Sequence, residues 1–211
     1  MRIILILALI GSSVICFAQD EDFTDYRRKT ENFSRIYDKD IRSDLASFTI
    51  GGIEESLNKT PLKKLPVVQY SGNSITYDSN QIRVIIKSGV FFGSKHKLLY
   101  EGKHLVKIDG KPYYGNYGKM PETTIAEVMA IIGSDTVRVP PNAFADLYNP
   151  SFTYSDASGI TRSQDGVYLS ADKRKIYIYM LNKDNAGSYE VTWIIQDKNY
   201  LRRVVDYDFS K

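Results

Sequence analysis

The chain has two histidines, His96 and His104, the side chains whose unperturbed pKa lies nearest neutrality. With Asp109 or Glu101 on the same face they would supply a general base or part of a metal site. Neither an H-E-x-x-H motif nor a Cys/His cluster accompanies them, so two surface histidines on a hairpin is the simpler reading. Carboxylate-pair hydrolysis requires no fixed spacing, and Asp109, Asp146 and Glu190 are its candidate acids. No G-x-S-x-G is present, and Gly133-Ser134 and Gly187-Ser188 read as turns. Asn182, Asp184 and Gly187 resemble the start of a calcium loop. The resemblance fails at Ala186, the fifth position, and at Trp193, the twelfth. Gly115-Asn116-Tyr117-Gly118 lacks the lysine and hydroxyl that complete a phosphate loop. The sequence therefore calls for no cofactor and no metal.

Tyrosine is the unusual residue: there are 16, against nine Phe and one Trp. The densest group is Lys111-Pro112-Tyr113-Tyr114-Gly115-Asn116-Tyr117-Gly118-Lys119-Met120-Pro121. Its Gly and Pro content makes it a loop, yet it carries three large rings. Loop aromatics either fold back over a core or present flat faces to a ligand. Tyr113, Tyr114, Asn116 and Tyr117 are thus the candidate ligand-binding residues, suited to stacking on sugars or contacting a protein. Asp146 to Pro150 is a second candidate loop, read as a capped turn pinned to the core.

The elements that must position these residues read as mainly β, an antiparallel sandwich or open barrel built from hairpins. Residues 74–77 and 81–87 form one hairpin, 97–100 and 104–108 a second, with Asp109-Gly110 as a turn. Residues 124–132 admit two readings. Thr124 with Glu127 makes a capping box and Gly133 a helix stop, whereas Ala126, Val128, Ala130 and Ile132 alternate as a strand. The strand reading is favoured because 136–139 needs a neighbour. A helical turn is expected over 142–148, with Asn142 as cap and Ala143, Phe144 and Leu147 inward. The last segment reads as a meander over 176–181, 189–195 and 200–205. Its middle strand is central, and Tyr177 and Tyr179 lie on a solvent or groove face.

Upstream, 22–37 predicts an amphipathic helix. Residues 39–57 are ambiguous, with a short strand at 48–50 and a helical turn at 53–57 as candidates. Arg2, an apolar run from Ile3, and small residues at Cys16 and Ala18 match an export signal cleaved after Ala18. The expected organisation is a signal peptide (1–18), a helical and extended segment (19–60), and a mainly-β domain (61–211).

Cleavage removes Arg2 and Cys16, leaving a formal charge of +2 and no cysteine for a disulfide or thiolate site. That suits export to the periplasm or beyond in a Gram-negative bacterium. So balanced a charge argues against nucleic-acid partners, and no membrane span is expected after cleavage. The function expected is non-catalytic binding of a glycan, envelope component or protein partner. The alternatives are a protein-interaction module, such as an inhibitor or assembly factor, and an acid-residue hydrolase.

Overall fold

The computed structural model describes residues 33, 35–79, 81–183 and 187–207, with Glu54 described in its backbone alone. The expected export signal lies outside these residues, as does most of the helix expected over 22–37. At that helix's end, Ile36 is buried and Tyr37 exposed, and neither is helical.

Two five-stranded antiparallel sheets form a sandwich. The first runs β2 (Val67–Ser71), β3 (Ser74–Ser79), β4 (Ile82–Val90), β7 (Thr123–Ile132) and β8 (Asp135–Arg138) in spatial order. The second runs β1 (Lys63–Lys64), β11 (Gly166–Leu169), β12 (Lys175–Asn182), β13 (Tyr189–Gln196) and β14 (Asn199–Tyr207). Two small hairpins are added: β5 (Leu98–Glu101) with β6 (His104–Ile108), and β9 (Tyr154–Ser155) with β10 (Thr161–Arg162). The β-branched runs on β4, β7, β12 and β13 favour extended backbone, and their alternation gives each sheet an apolar inner face. Ile75, Tyr77, Val84, Ile86, Val128 and Ala130 of the first sheet meet Ile176, Ile178, Met180, Val191, Trp193 and Ile195 of the second.

Residues 124–132 are strand, paired with β4 along nearly all of its length. Lys87 faces Glu127 while Ser88 faces Ile125, so Ala126 is an extra residue, a β-bulge. The bulge turns Ala126 outward and Ile125 inward, so the alternation read from the sequence holds only from Val128 onward. Glu127 binds Lys87 and Arg138 across the sheet instead of capping a helix. Gly133, at φ +63°, makes the turn to β8. The turn after β8 is a short 3-10 helix, Pro141–Ala143, whose cap position is Pro140, not Asn142. Ala143, Phe144 and Leu147 do face inward.

The far face of the second sheet is covered, contrary to expectation. Tyr177 and Tyr179 are buried, not on a solvent or groove face. They are covered by a third layer, built of described residues between Phe33 and Leu62 that include helix α1 (Lys39–Ala46). Ile41, Leu45 and Ala46 press onto Tyr177 and Ile194. The Tyr177 hydroxyl donates to Asp44 at 2.5 Å. Phe48 stacks on Tyr168 at 4.2 Å and meets Tyr179 edge-on. Residues 48–50 are not a strand, and 54–56 form a 3-10 turn. With both faces covered, β12 and β13 read as continuous apolar runs, the pattern of fully buried strands.

Candidate functional site

The hairpin β5–β6 and the loop 111–121 after it form one unit at an end of the sandwich. Bridges join Leu105 to Gly118 and Ile108 to Lys111, so the loop lies back along β6. Tyr113 is its pin. Its hydroxyl lies 3.1 Å from the Leu105 carbonyl and 3.2 Å from that of Lys119, and accepts from the Gly118 N–H at 3.0 Å. Burial raises its pKa, with Tyr117 and Tyr100 adding to the effect. Tyr114 packs on Tyr189 and Tyr207, with ring centres near 6 Å. Gly115 makes this possible. Its φ is +90°, and a Cβ there would collide with the Tyr148 carbonyl.

The four residues expected to bind ligand therefore do not share one exposed face. Tyr113 and Tyr114 are 6% and 4% exposed and belong to the core. Asn116 is partly exposed at φ +48°, and its carbonyl accepts from the Lys119 N–H as a turn residue. Tyr117 is 54% exposed and lies 6.2 Å from the Tyr113 ring at 25° between planes. Sequence alone allowed both roles for a ring-bearing loop. Two of the rings do the first, and Tyr117 stays at the surface.

The segment that carries Tyr117 is basic and aromatic. Lys95, Lys97, Lys103, Lys107, Lys111 and Lys119 are all exposed, as are Phe92 and Tyr100. The Lys95 ammonium sits 4.8 Å from the centre of the Phe92 ring. Six lysines stand against Glu101 and Asp109 in this stretch, a larger surplus than the +3 of the whole chain. Asp109 is already engaged: it accepts from the Lys97 N–H at 2.8 Å and meets His96 Nδ1 at 2.7 Å. The His96 bond, first, and the Lys97 amide hold its pKa below the usual carboxylate range. This array escapes a whole-chain charge count because acids elsewhere cancel it.

The histidines do not form a pair. His96 stacks on Phe91 at 4.6 Å, whereas His104 faces Glu101 across the hairpin and lies against Gly118. Among the described residues no group of three or more His, Cys, Asp or Glu side chains is placed to hold a metal ion. The candidate acids each have structural partners. Asp146 takes both arms of Arg203, at 2.5 and 2.7 Å, which fixes the turn after β8 to β14. Glu190 is buried and accepts from the Ile50 and Gly51 amides and the Tyr179 hydroxyl, fastening the third layer to the sheet. Asp206 is its cross-strand neighbour, and both carboxylates crowd Gly51, where a Cβ would lie 2.5 Å from Asp206 Oδ2.

One acid had no sequence signal. Asp165 follows a Ser-Gln stretch that reads as solvated loop, yet it is fully buried. It accepts from the Leu181 N–H at 2.9 Å, and desolvation raises its pKa well above the ordinary value. A concavity lies between α1, the connector 59–62 and the β11–β12 turn. It is a cleft of about 380 Å³ lined by Asp44, Lys59, Leu62, Lys63, Leu169 and Lys173, among others.

Fold and site together define a mainly-β antiparallel sandwich with an apposed helical layer and a basic aromatic hairpin. The chain matches no protein-family model, no curated protein and no solved structure. Among the described residues no helix is long and apolar enough to cross a membrane.

Proposed function

We propose that the chain is an exported, non-catalytic binding protein whose ligand is an anionic glycan polymer of the cell envelope. The observation that carries this reading is the segment from 92 to 119, which exposes six lysines together with Phe92, Tyr100 and Tyr117. A polymer of acidic sugars presents repeated carboxylates to the ammonium groups and C–H ring faces to the aromatics. Tyr113 and Tyr114 act beneath this surface by holding the loop, and Tyr117 is the ring that meets the ligand. The apolar run and Ala18 of residues 1–18 support export.

Affinity electrophoresis tests the reading. Migration is expected to slow in gels holding polygalacturonate and to be unchanged in gels holding neutral dextran. The retardation should vanish in about 1 M salt, where the screening length falls to about 3 Å. Lys103→Glu with Lys107→Glu, both exposed, should abolish it at unchanged melting temperature. Equal migration in both gels would overturn the proposal.

One observation favours a protein-interaction reading as the second choice. Strand β2 is an edge strand exposed along its whole length, with Val67, Val68 and Tyr70 outward. Such an edge accepts an added strand from a partner. A pull-down that returns one protein, and that Val68→Lys abolishes, would favour it.

A further inference from the structure

The cleft beside α1 is remote in sequence from the basic hairpin and differs from it in form. It is concave, at about 380 Å³, within the range of small-molecule sites. Its rim carries Lys59, Lys63 and Lys173, brought from the connector, β1 and the β11–β12 turn. All three lysines are exposed. Asp44 is the single acid among the lining residues, and it accepts from the Tyr177 hydroxyl at 2.5 Å. Leu62 and Leu169 supply an apolar wall. Hydroxyls line it as well: Ser43 accepts from the Lys59 ammonium at 2.8 Å.

Three separate chemical features therefore face one space. The ammonium rim favours an anionic group. The serine hydroxyls and the Asp44 carboxylate suit hydroxyl donors and acceptors. The leucine wall suits a C–H face. A fully apolar ligand would strip water from the lysine ammoniums and the Asp44 carboxylate without replacing it, at a cost for each charge desolvated. A bare inorganic anion would leave the apolar wall uncovered.

We infer that this cleft is a second binding site, for a monosaccharide-sized polyol bearing one anionic group. Uronic acids and sugar phosphates share that chemistry. The anion sits among Lys59, Lys63 and Lys173, and the hydroxyl end lies toward Asp44. Helix α1 would then have a second role beyond covering the sheet, as one wall of the site. The site goes beyond the hairpin reading and does not depend on it.

Titration calorimetry on the purified protein, with glucuronate and with glucose 6-phosphate, tests this. Saturable heat is expected from at least one of the two, and none from glucose or from inorganic phosphate at the same concentration. Lys59→Glu and Lys173→Glu are each expected to weaken binding at least tenfold, about 1.4 kcal/mol, without lowering the melting temperature. Lys103→Glu with Lys107→Glu should leave the affinity unchanged, which separates this site from the hairpin. Amide shifts on titration should map to residues 43–47, 59–63 and 169–173. The inference is overturned if neither anionic sugar binds, if glucose or phosphate binds as tightly, or if the rim variants bind like the parent.

Discussion

Two residues carry polar chemistry inside the molecule that the sequence gives little reason to expect there. The Tyr113 hydroxyl serves Leu105, Gly118 and Lys119 at once, so its removal should unfasten the aromatic loop. Tyr113→Phe keeps the ring and leaves the buried Gly118 amide without this acceptor. A loss of about 1 to 3 kcal/mol is expected in urea unfolding. A variant as stable as the parent would show that the hydroxyl holds nothing. Asp165 makes a prediction in pH. Its unfolded carboxyl titrates near 3.9, and burial raises the folded value well above that. The folded state thus disfavours the charged form. Stability from this group is highest below the unfolded pKa and falls as pH rises toward the folded one. Asp165→Asn retains an oxygen for the Leu181 amide and has no charge to bury. Its urea midpoint relative to the parent should therefore rise between about pH 4 and pH 7. Carboxylates with lowered pKa, such as Asp109, drive stability the other way but are common to both proteins and cancel. A difference that ignores pH would refute the assignment. Neither role is visible in sequence order, because both depend on atoms brought from distant segments. A serine-rich neighbourhood makes Asp165 look solvated, and three rings in one loop do not say which turns inward.

At the scale of elements, the sheets were largely legible and the third layer was not. Hairpins announce themselves locally: β-branched runs flank turn residues, as at Glu101-Gly102-Lys103, and pairing partners lie close in sequence. Helix α1 is eight residues long, and its apolar side is only Ile41, Leu45 and Ala46. So short a helix owes its stability to what it packs against, and that surface lies more than a hundred residues downstream. Tyr177 and Tyr179 read as exposed for the same reason, since a strand's second face is exposed or buried according to what covers it. Two substitutions test how firmly the layer is fixed. Leu45→Ala removes a fully buried side chain and should cost about 2 to 5 kcal/mol. Asp38 caps α1 by accepting from the Asp40 and Ile41 amides, both at 3.0 Å, and Asp38→Ala should cost about 1 kcal/mol. Both losses should appear in global unfolding. If the layer opened independently of the sheets, neither variant would move the global midpoint.

Across the whole molecule, the joining of the layers predicts how the chain unfolds. Trp193 is the single tryptophan, fully buried between the two sheets, and its indole N–H donates to the Ala143 carbonyl at 2.8 Å. The same carbonyl accepts from Arg203 at 3.3 Å, while Arg203 holds Asp146. One strand thus ties the first sheet's exit turn, the second sheet and, through Glu190, the third layer. Long-range closures reinforce this: β1 pairs with β11, joining Lys63–Lys64 to residues a hundred positions later. Neither sheet can leave without stripping the inner face of the other, so neither sheet has a core of its own to remain folded around. The hairpin β5–β6 has a separate small cluster built on Leu105, Ile108, Tyr113 and Tyr148, away from the central strands that anchor the third layer, and it is placed to open first. Tryptophan fluorescence and far-ultraviolet circular dichroism should therefore give one coincident urea transition. Amide exchange should show the hairpin opening at lower free energy than β12 and β13. Exchange in β12 and β13 should set the global limit, and folding should be slow because the decisive pairings are distant in sequence. Two separated optical transitions would mean that the layers are held less tightly than Trp193, Arg203 and Glu190 require. Equal exchange in the hairpin and the central strands would mean that the putting together of loop and β6 by Tyr113 extends the main core. The basic surface above it would then share the stability of the central sheets.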